Sequence, residues 1–257
     1  MIGIVIPLKA KRMSADWQMT EALLRQTLAS VSRQSCQAFR VLIVCHEIPD
    51  VGPKQARWTL PPIGIAGAPF SPPSERVAFQ MRQDKERKVA IGIARLLREG
   101  CDWIMKLDAD DLLAQETCKF IEESGTDAVI FRKGIVRLSE SKWHLLEPSN
   151  FHRVCGTCFA FRRHLILDLV AGKAAHPLSQ FFVSDHHEQV VERCLEHSVA
   201  VSYPPFAAAC YVQYQDIRLS TLYHPEHKPT IRELIGRLRR LRRTTPAVRE
   251  QFGIGLN

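Results

Sequence analysis

The feature of this sequence that most limits its fold is an alternation of continuous apolar runs with helical segments. "IGIVIPL" (2–8), "FRVLIVCHE" (39–47) and "CDWIMKLDADD" (101–111) each contain an unbroken apolar run, which is typical of strands buried on both faces. Apolar residues at spacings of three and four predict helices over 20–35 and 83–100. Strand, helix and strand in this order predict parallel strands joined by right-handed crossovers.

The second half of the chain has a different pattern. Residues 127–148 alternate between apolar and polar, which predicts antiparallel strands. We expect a strand running into a helix over 153–172, a further helix over 184–198 and a last strand region over 199–214. A chain of 257 residues has the length of one large α/β domain. The prediction is therefore an α/β fold with a mixed, mostly parallel sheet flanked by helices.

Three aspartates directly follow the strand that contains "DWIM". Asp108, Asp110 and Asp111 in "KLDADDLL" stand where ligands collect in parallel sheets, at the carboxyl end of a strand. Neighbouring carboxylates repel one another unless a cation or hydrogen-bond donors offset their charge. Oxygen ligands suit Mg²⁺ or Mn²⁺, so we expect a divalent metal site here. The alternative is that one or two of the acids cap the following helix.

The excess positive charge of the chain, +8 in total, is concentrated near its end. "TIRELIGRLRRLRRT" (230–244) contains six arginines and an apolar stripe at helical spacing, which predicts a basic amphipathic helix. Such a helix can lie on an anionic membrane surface through residues 230–243, or it can pack on the domain with its basic face in solvent. No nucleic-acid-binding motif accompanies the charge, so we do not expect a nucleic-acid partner.

The remaining signals concern location and cysteine chemistry. No run of about 18 apolar residues occurs, and "MIGIVIPLKAKR" lacks the features of a signal peptide. The eight cysteines are scattered and are expected to be reduced core residues. "CGTC" (155–158) lacks the second pair that a zinc site needs. We expect a cytoplasmic protein, with any membrane contact peripheral and at the inner face.

Three stretches between residues 2 and 113 together carry a family resemblance. "IGIVIPLKAK", "LLRQTLASVSRQSCQAFRVLIVCHE" and "RQDKERKVAIGIARLLREGCDWIMKLDADDLL" resemble, in order and spacing, the GT-A fold glycosyltransferases, most closely the family 2 type. The resemblance implies a Rossmann-like GT-A domain over 1–229. Its halves would be a nucleotide-sugar-binding half (1–113) and an acceptor-side half (114–229), followed by a basic amphipathic tail (230–257).

The activity implied by this resemblance is a metal-dependent, inverting transfer of a sugar. The donor would be a nucleotide-sugar and the acceptor a hydroxyl of a glycan or lipid-linked molecule, as in bacterial surface polysaccharide synthesis. Asp110 would bind Mn²⁺ or Mg²⁺ directly, and Asp108 would contact the donor ribose or the metal, with Asp111 in support. A histidine near the C-terminus, His224, is a further candidate metal ligand.

Other donor-binding candidates follow from the same resemblance. Lys85 and Lys88 are expected near a helix start, where they would contact the phosphates or the base. Glu47 follows the second strand, where the family binds the base. That place reads "CHEIPD" and departs from the family's acidic pattern, and the first strand ends in "PLKAK" instead of a small polar pair. The nucleotide and the sugar therefore stay open.

The general base is expected in "VSDHHEQV" (183–190). Asp185 would lie in the first turn of a helix, where the helix dipole keeps a carboxylate ionised and able to accept the acceptor's proton. Glu188 is the second candidate, and either acid can instead cap the helix. The adjacent His186 and His187 would orient the base or contact phosphate.

Two other functions share these features. A nucleotidyltransferase that makes nucleotide sugars would have the same core and metal acids, but it would carry a glycine-rich loop after the first strand, and "PLKAKRMS" has no glycine. A glycan-binding or scaffold protein on the same fold would bind no nucleotide in a metal-dependent way. Nucleotide binding with and without Mn²⁺ separates the second case from an enzyme.

Overall fold

The structure is a computed structural model, and it describes residues 1–51, 64–67, 77–138, 141–167, 178, 180–183, 187–213 and 231–255. The strands in these ranges form two sheets, one of seven strands and one of five. The strands are β1 (Ile2–Pro7), β2 (Phe39–Cys45), β3 (Gly64–Gly67), β4 (Trp103–Lys106), β5 (Leu112–Leu113), β6 (Ala128–Ile130), β7 (Gly134–Leu138), β8 (Trp143–Glu147), β9 (Phe159–Arg162), β10 (Val201–Ser202), β11 (Ala209–Gln213) and β12 (Leu241–Arg243).

Helices of very different lengths accompany these sheets. They are α1 (Trp17–Ser32), α2 (Val77–Arg98), α3 (Thr117–Glu123), α4 (Gln180–Val183), α5 (Val190–Glu196), α6 (Ile231–Arg240) and α7 (Pro246–Phe252). Short 3-10 turns lie at 11–13, 151–153, 163–165 and 187–189. No helix in the described ranges combines the length and apolarity that a membrane span requires.

The first sheet has the strand order β10-β6-β9-β4-β1-β2-β3. Strands β4, β1, β2 and β3 are parallel to one another, and β9 runs antiparallel between β4 and β6. Every residue of β1 and β4 is buried, as their continuous apolar runs predict. The predicted α/β fold with a mixed, mostly parallel sheet flanked by helices is confirmed.

The long helix α2 packs very closely on the first sheet. A Cβ atom on Gly92 would come within 2.2 Å of Val5 Cγ2, so a larger residue at this position would push the helix away from β1. The chain leaves the helix at Gly100, whose φ of +83° favours glycine. This predicted end is confirmed, but α2 begins at Val77 and not near residue 83.

The five-stranded sheet has the order β12-β8-β7-β11-β5 and a second, smaller core. One of its faces buries Ile135 and Val212 against Phe252 of α7 and Ile254. Strand β5 belongs to this sheet, whereas β4, a few residues earlier, belongs to the first. Residues 107–111 are therefore the segment through which the chain passes from one sheet to the other.

Several predicted elements differ in extent from the structure. Residues 127–148 divide between the sheets, because β6 joins the first and the β7–β8 hairpin joins the second. Residues 199–214 divide in the same way into β10 and β11. Of the helix expected over 184–198, the described residues form a 3-10 turn at 187–189 followed by α5. All eight cysteines lie in the described ranges, are free, and except for Cys36 are buried, as predicted.

Candidate functional site

The three aspartates lie in the segment that joins the two sheets. The Leu107 amide donates to Val5 O (2.9 Å) and so extends the pairing of β4 with β1. The chain then turns, and the Asp111 amide donates to Asp108 O (3.1 Å). The turn brings the carboxylates together at the carboxyl ends of the parallel strands, the edge at which sheets of this kind bind ligands.

Helix α1 holds this acidic segment in place. Thr27 and Ser30 on the helix, and Gln34 in the turn just after it, bond to the backbone of residues 109–118. The bonds are Thr27 Oγ1 to Ala109 O (2.9 Å), Leu113 N to Ser30 Oγ (3.0 Å), Gln34 Nε2 to Ala114 O (2.8 Å) and Cys118 N to Gln34 Oε1 (2.8 Å). These residues give "TLASVSRQ" its polar spacing, so this part of the sequence serves the site directly.

Asp108 is surrounded by positive charge. Lys85 Nζ lies 2.9 Å from its Oδ1 and 3.1 Å from its Oδ2. Burial disfavours the carboxylate, but the ammonium groups of Lys85 and Lys106 outweigh this effect and lower the pKa of Asp108 to about 2. Asp108 is therefore ionised throughout the physiological range, and Lys85 lies directly beside it.

Asp110 and Asp111 have the opposite environment. Burial and the charge of Asp108 raise the pKa of Asp110 to about 6. Burial and the charges of Asp110 and Asp108 raise the pKa of Asp111 well above its usual value. Asp111 is 1% exposed, and its Oδ1 atom has no hydrogen-bond partner within the described part of the chain. The two acids are short of compensating positive charge.

The "CGTC" loop forms one wall of the site. The Cys155 thiol donates to Asp111 Oδ2 (3.1 Å), and the Asp108 amide donates to Thr157 Oγ1 (2.9 Å). A Cβ atom on Gly156 would lie 3.3 Å from both Asp108 Oδ2 and Lys106 Nζ. Burial and the neighbouring Asp111 raise the pKa of Cys155 well above its usual value. The loop thus forms hydrogen bonds with the acidic segment and lies close to it. Both of its cysteines are free.

A histidine lies on the same side of the acids as Lys106. His187 Nδ1 donates to the carbonyl oxygen of His152 (2.7 Å), which leaves Nε2 as the acceptor nitrogen of a neutral ring. Burial lowers the pKa of His187, and Lys106 lowers it further. The neighbouring Glu188 is half-buried in the 3-10 turn. Asp185, His186 and His224 lie outside the described residues.

Two other predicted donor-binding residues are engaged in contacts of their own. Glu47 Oε2 accepts a hydrogen bond from the Lys11 amide (2.9 Å) at the carboxyl end of β2. The Lys88 ammonium is 1% exposed and donates to Leu8 O (2.7 Å) and to Asp84. Because α2 begins earlier than predicted, Lys88 lies well inside the helix and stabilises the end of β1. Its position gives no support to a donor contact.

Three residues at this site were not assigned from the sequence. Lys106 lowers the pKa of Asp108, and Cys155 donates to Asp111. Lys9 follows β1, where its interaction with Asp110 partly offsets the lowering of its pKa by burial. The position of Lys9 after a strand parallel to β4 was a signal that could have placed it at this edge. The Cys155 contact joins residues 44 positions apart, and no local pattern indicates it.

The acids fit a divalent cation that keeps part of its shell for other ligands. In the described ranges, no group of three His, Cys, Asp or Glu side chains forms a complete metal site. Mg²⁺ and Mn²⁺ usually bind through one or two carboxylates together with water and substrate phosphates. Asp108 and Asp110 supply such oxygens, and a cation beside them would relieve the repulsion that raises the pKa of Asp110.

Comparisons with known proteins bear on the fold. No protein family profile and no curated protein sequence matches the chain, but solved structures do. S. aureus TarS 1–349 in complex with UDP-GlcNAc matches with a TM-score of 0.53 at 13% identity, over 86% of this chain and 60% of that one. S. aureus TarS matches with a TM-score of 0.51 at 13% identity, over 82% of this chain and 36% of that one.

TarS is a GT-A-type glycosyltransferase, and the likeness shows that this chain has the GT-A fold. The chain spans less than two thirds of the TarS chains that it matches. At this level of identity, activity and ligands have to be argued from the site itself.

Proposed function

We propose that the protein is a glycosyltransferase that moves a sugar from a nucleotide-sugar to a hydroxyl of a glycan or lipid-linked acceptor. The observation that carries this proposal is the acidic segment 108–111, held by α1 at the carboxyl edge of the parallel strands of a GT-A fold. TarS, which shares the fold, was crystallised with UDP-GlcNAc. Bacterial surface polysaccharide synthesis would suit this activity.

The donor diphosphate would bind beside the acids. Asp108 and Asp110 would hold Mg²⁺ or Mn²⁺, which, when bound, stabilises the charge that develops on the departing diphosphate. Lys85 already pairs with Asp108, and its ammonium is within reach of a phosphate placed next to that carboxylate. The half-buried Lys9, on the Asp110 side, offers a second positive charge. Glu47 marks the side on which the nucleobase of the donor would bind.

The acceptor would approach from the side of "VSDHHEQV". In an inverting transfer, the acceptor oxygen attacks the anomeric carbon as the bond to the diphosphate breaks, and a carboxylate takes the hydroxyl proton. We assign this base to Asp185, with Glu188 as the second candidate. The neutral His187, with Nε2 as acceptor, would orient the acceptor or the base.

A donor screen tests the proposal. Thermal shifts with several nucleoside diphosphates and nucleotide-sugars, each with Mn²⁺, Mg²⁺ or EDTA, should reveal a ligand whose stabilisation requires the metal. The same donor should then release its nucleoside diphosphate when an acceptor is present. Metal-dependent binding without turnover would indicate a scaffold, and release of pyrophosphate from a nucleoside triphosphate and a sugar phosphate would indicate a nucleotidyltransferase.

The base is tested separately with matched variants. Asp185→Asn should keep donor affinity and lose transfer by a factor of about 10² to 10⁴, while Glu188→Gln should stay near the wild-type rate. The reverse result would move the assignment to Glu188. If both variants kept the wild-type rate, an inverting mechanism with its general base in this segment would be excluded.

A further inference from the structure

The outer face of the five-stranded sheet carries an exposed apolar patch. In the pairing of β12 with β8, Leu241 lies opposite Leu145, and Arg243 lies opposite Trp143, so these side chains share one face. The other face of this sheet is buried against α7. On the outer face, Trp143 is 49% exposed and Leu238, on α6, is 69% exposed.

Trp143, Leu145, Leu238 and Leu241 line one groove of about 310 Å³, together with Val136 and Arg237. We use the name outer-face patch for Trp143, Leu238, Leu241, Arg237 and Arg243. Scattered exposed leucines are ordinary on protein surfaces, but a tryptophan and two leucines around one groove form a contiguous apolar surface. Such a surface indicates a partner.

Helix α6 is held against β8 with its two described apolar side chains, Ile235 and Leu238, exposed. Arg240 forms an ion pair with Glu147 of β8, and the chain enters β12 directly after the helix. Ile235, one turn before Leu238, is 46% exposed. The sequence left open whether the apolar stripe packs on the domain or stays free to dock, and these exposures favour the second alternative.

The charge around the patch selects the kind of partner. Arg237, Arg239 and Arg243 are exposed, and Arg243 shares the outer face of β12 with Leu241. Arginines beside an apolar strip that includes tryptophan are the composition of a surface that lies in a membrane interface. There the guanidinium groups contact lipid phosphates and the indole lies at headgroup level.

We propose that the outer-face patch docks the protein on an anionic lipid bilayer. Trp143, Leu238 and Leu241 enter the headgroup region, and the arginines contact the phosphates. Each arginine near such a surface contributes about 1 kcal/mol of attraction, which salt weakens. The inference goes beyond the proposed transfer reaction and does not depend on it, since none of these residues belongs to the acidic site.

Vesicle flotation of the full chain tests the proposal. The protein should float with phosphatidylcholine vesicles that contain about 30% phosphatidylglycerol, less with phosphatidylcholine alone, and less again in high salt. Arg237→Gln with Arg239→Gln should lower the partition coefficient roughly 30-fold. Leu238→Glu should lower it at least about tenfold, because a charge replaces an inserted apolar side chain.

Matched controls are available elsewhere on the surface. Leu195→Glu changes a leucine that is 68% exposed on α5, and Arg98→Gln with Arg193→Gln removes two exposed arginines. Both controls should float like the wild type, and thermal melts should show all variants folded. Failure of the wild type to float, or equal losses in the controls, would overturn the proposal. The proposal would also be overturned if the wild type were a dimer, Leu238→Glu made it a monomer, and neither form floated. The patch would then join two copies of the chain.

Discussion

At the scale of single residues, the three aspartates have different surroundings although they lie within four positions. Asp108 has two lysines beside it and a pKa of about 2, whereas Asp110 has a pKa of about 6, raised by burial and by the Asp108 charge. In the absence of a cation, the second and third negative charges cost stability. A site that retains such repulsion trades stability for ligand binding.

The first prediction concerns the effect of the Asp110 charge on stability and on metal binding. Asp110→Asn removes a disfavoured charge, so the melting temperature without metal at pH 7.5 should rise by roughly 2–4 °C, the change that about 1 kcal/mol produces in a chain of this size. The same substitution should abolish Mn²⁺-dependent stabilisation by the donor. Asp127→Asn, at a half-exposed surface acid, is the control and should change neither value. A destabilised Asp110→Asn protein that still binds donor with Mn²⁺ would contradict the prediction.

The second prediction is a pH dependence with a defined sign. Since the pKa of Asp110 is raised to about 6 in the folded protein, the fold binds this proton more tightly than the unfolded chain does. The resulting stability is present below pH 4 and is lost as the pH rises through 6. Protons and cation compete for the same oxygens.

Stabilisation by Mn²⁺ should therefore be larger at pH 7.5 than at pH 5.5, as measured by thermal shift at fixed Mn²⁺ concentration. The Asp110→Asn protein should lose this difference. Asp108 acts in the opposite direction, because its pKa of about 2 keeps its contribution to stability until the pH falls below about 4. A metal effect that is constant from pH 5.5 to 7.5 would show that Asp110 is not a ligand.

At the scale of elements, α1 and the turn directly after it position the acids. Gln34 is 3% exposed and bonds with both of its side-chain ends, donating to Ala114 O and accepting from Cys118 N. The Ala114 carbonyl directly follows β5, and the Cys118 amide lies in the first turn of α3. An apolar residue at this position would leave both without these partners inside the protein.

The third prediction follows from these bonds. Gln34→Leu should lower the free energy of unfolding by about 1–3 kcal/mol, because the buried Cys118 amide loses its partner and the Ala114 carbonyl keeps only its bond from the Thr117 amide. It should also weaken metal-dependent donor binding, since the acidic segment is then held less firmly. Gln18→Leu is the matched control at an exposed position of α1 and should change stability by no more than about 0.5 kcal/mol. Urea unfolding measures both variants, and equal effects would exclude the positioning role.

The strands and helices also show how much of the fold the sequence can predict. The buried runs of β1, β2 and β4 and the periodicity of α1 and α2 are local signals, and the acids followed from their place after β4. The change of sheet at β5 was not predictable, because a two-residue strand has no periodicity. Nor was the contact of Cys155 with Asp111, which depends on β9 running antiparallel beside β4.

At the scale of the whole molecule, the acidic segment is the connection between the two cores. Toward the first core it continues β4, and toward the second it enters β5, which pairs with β11. The last described helix, α7, closes the second core with Phe252, and the Gln115 amide donates to Gln251 O (2.9 Å). The second core therefore supports the site in addition to α1.

The last prediction tests this connection at Phe252, which is 1% exposed. Phe252→Ala should cost about 3–5 kcal/mol of unfolding free energy, the usual effect of emptying a buried aromatic site. It should also lower donor affinity, because β5 loses its packing partner and the acids lose one of their two supports. Leu195→Ala, at an exposed position, should change stability by less than about 0.5 kcal/mol. If α7 packs on β5, Phe252→Ala must change both the main unfolding transition and donor binding. If residues 230–257 were instead a tail independent of the domain, the substitution would leave both unchanged.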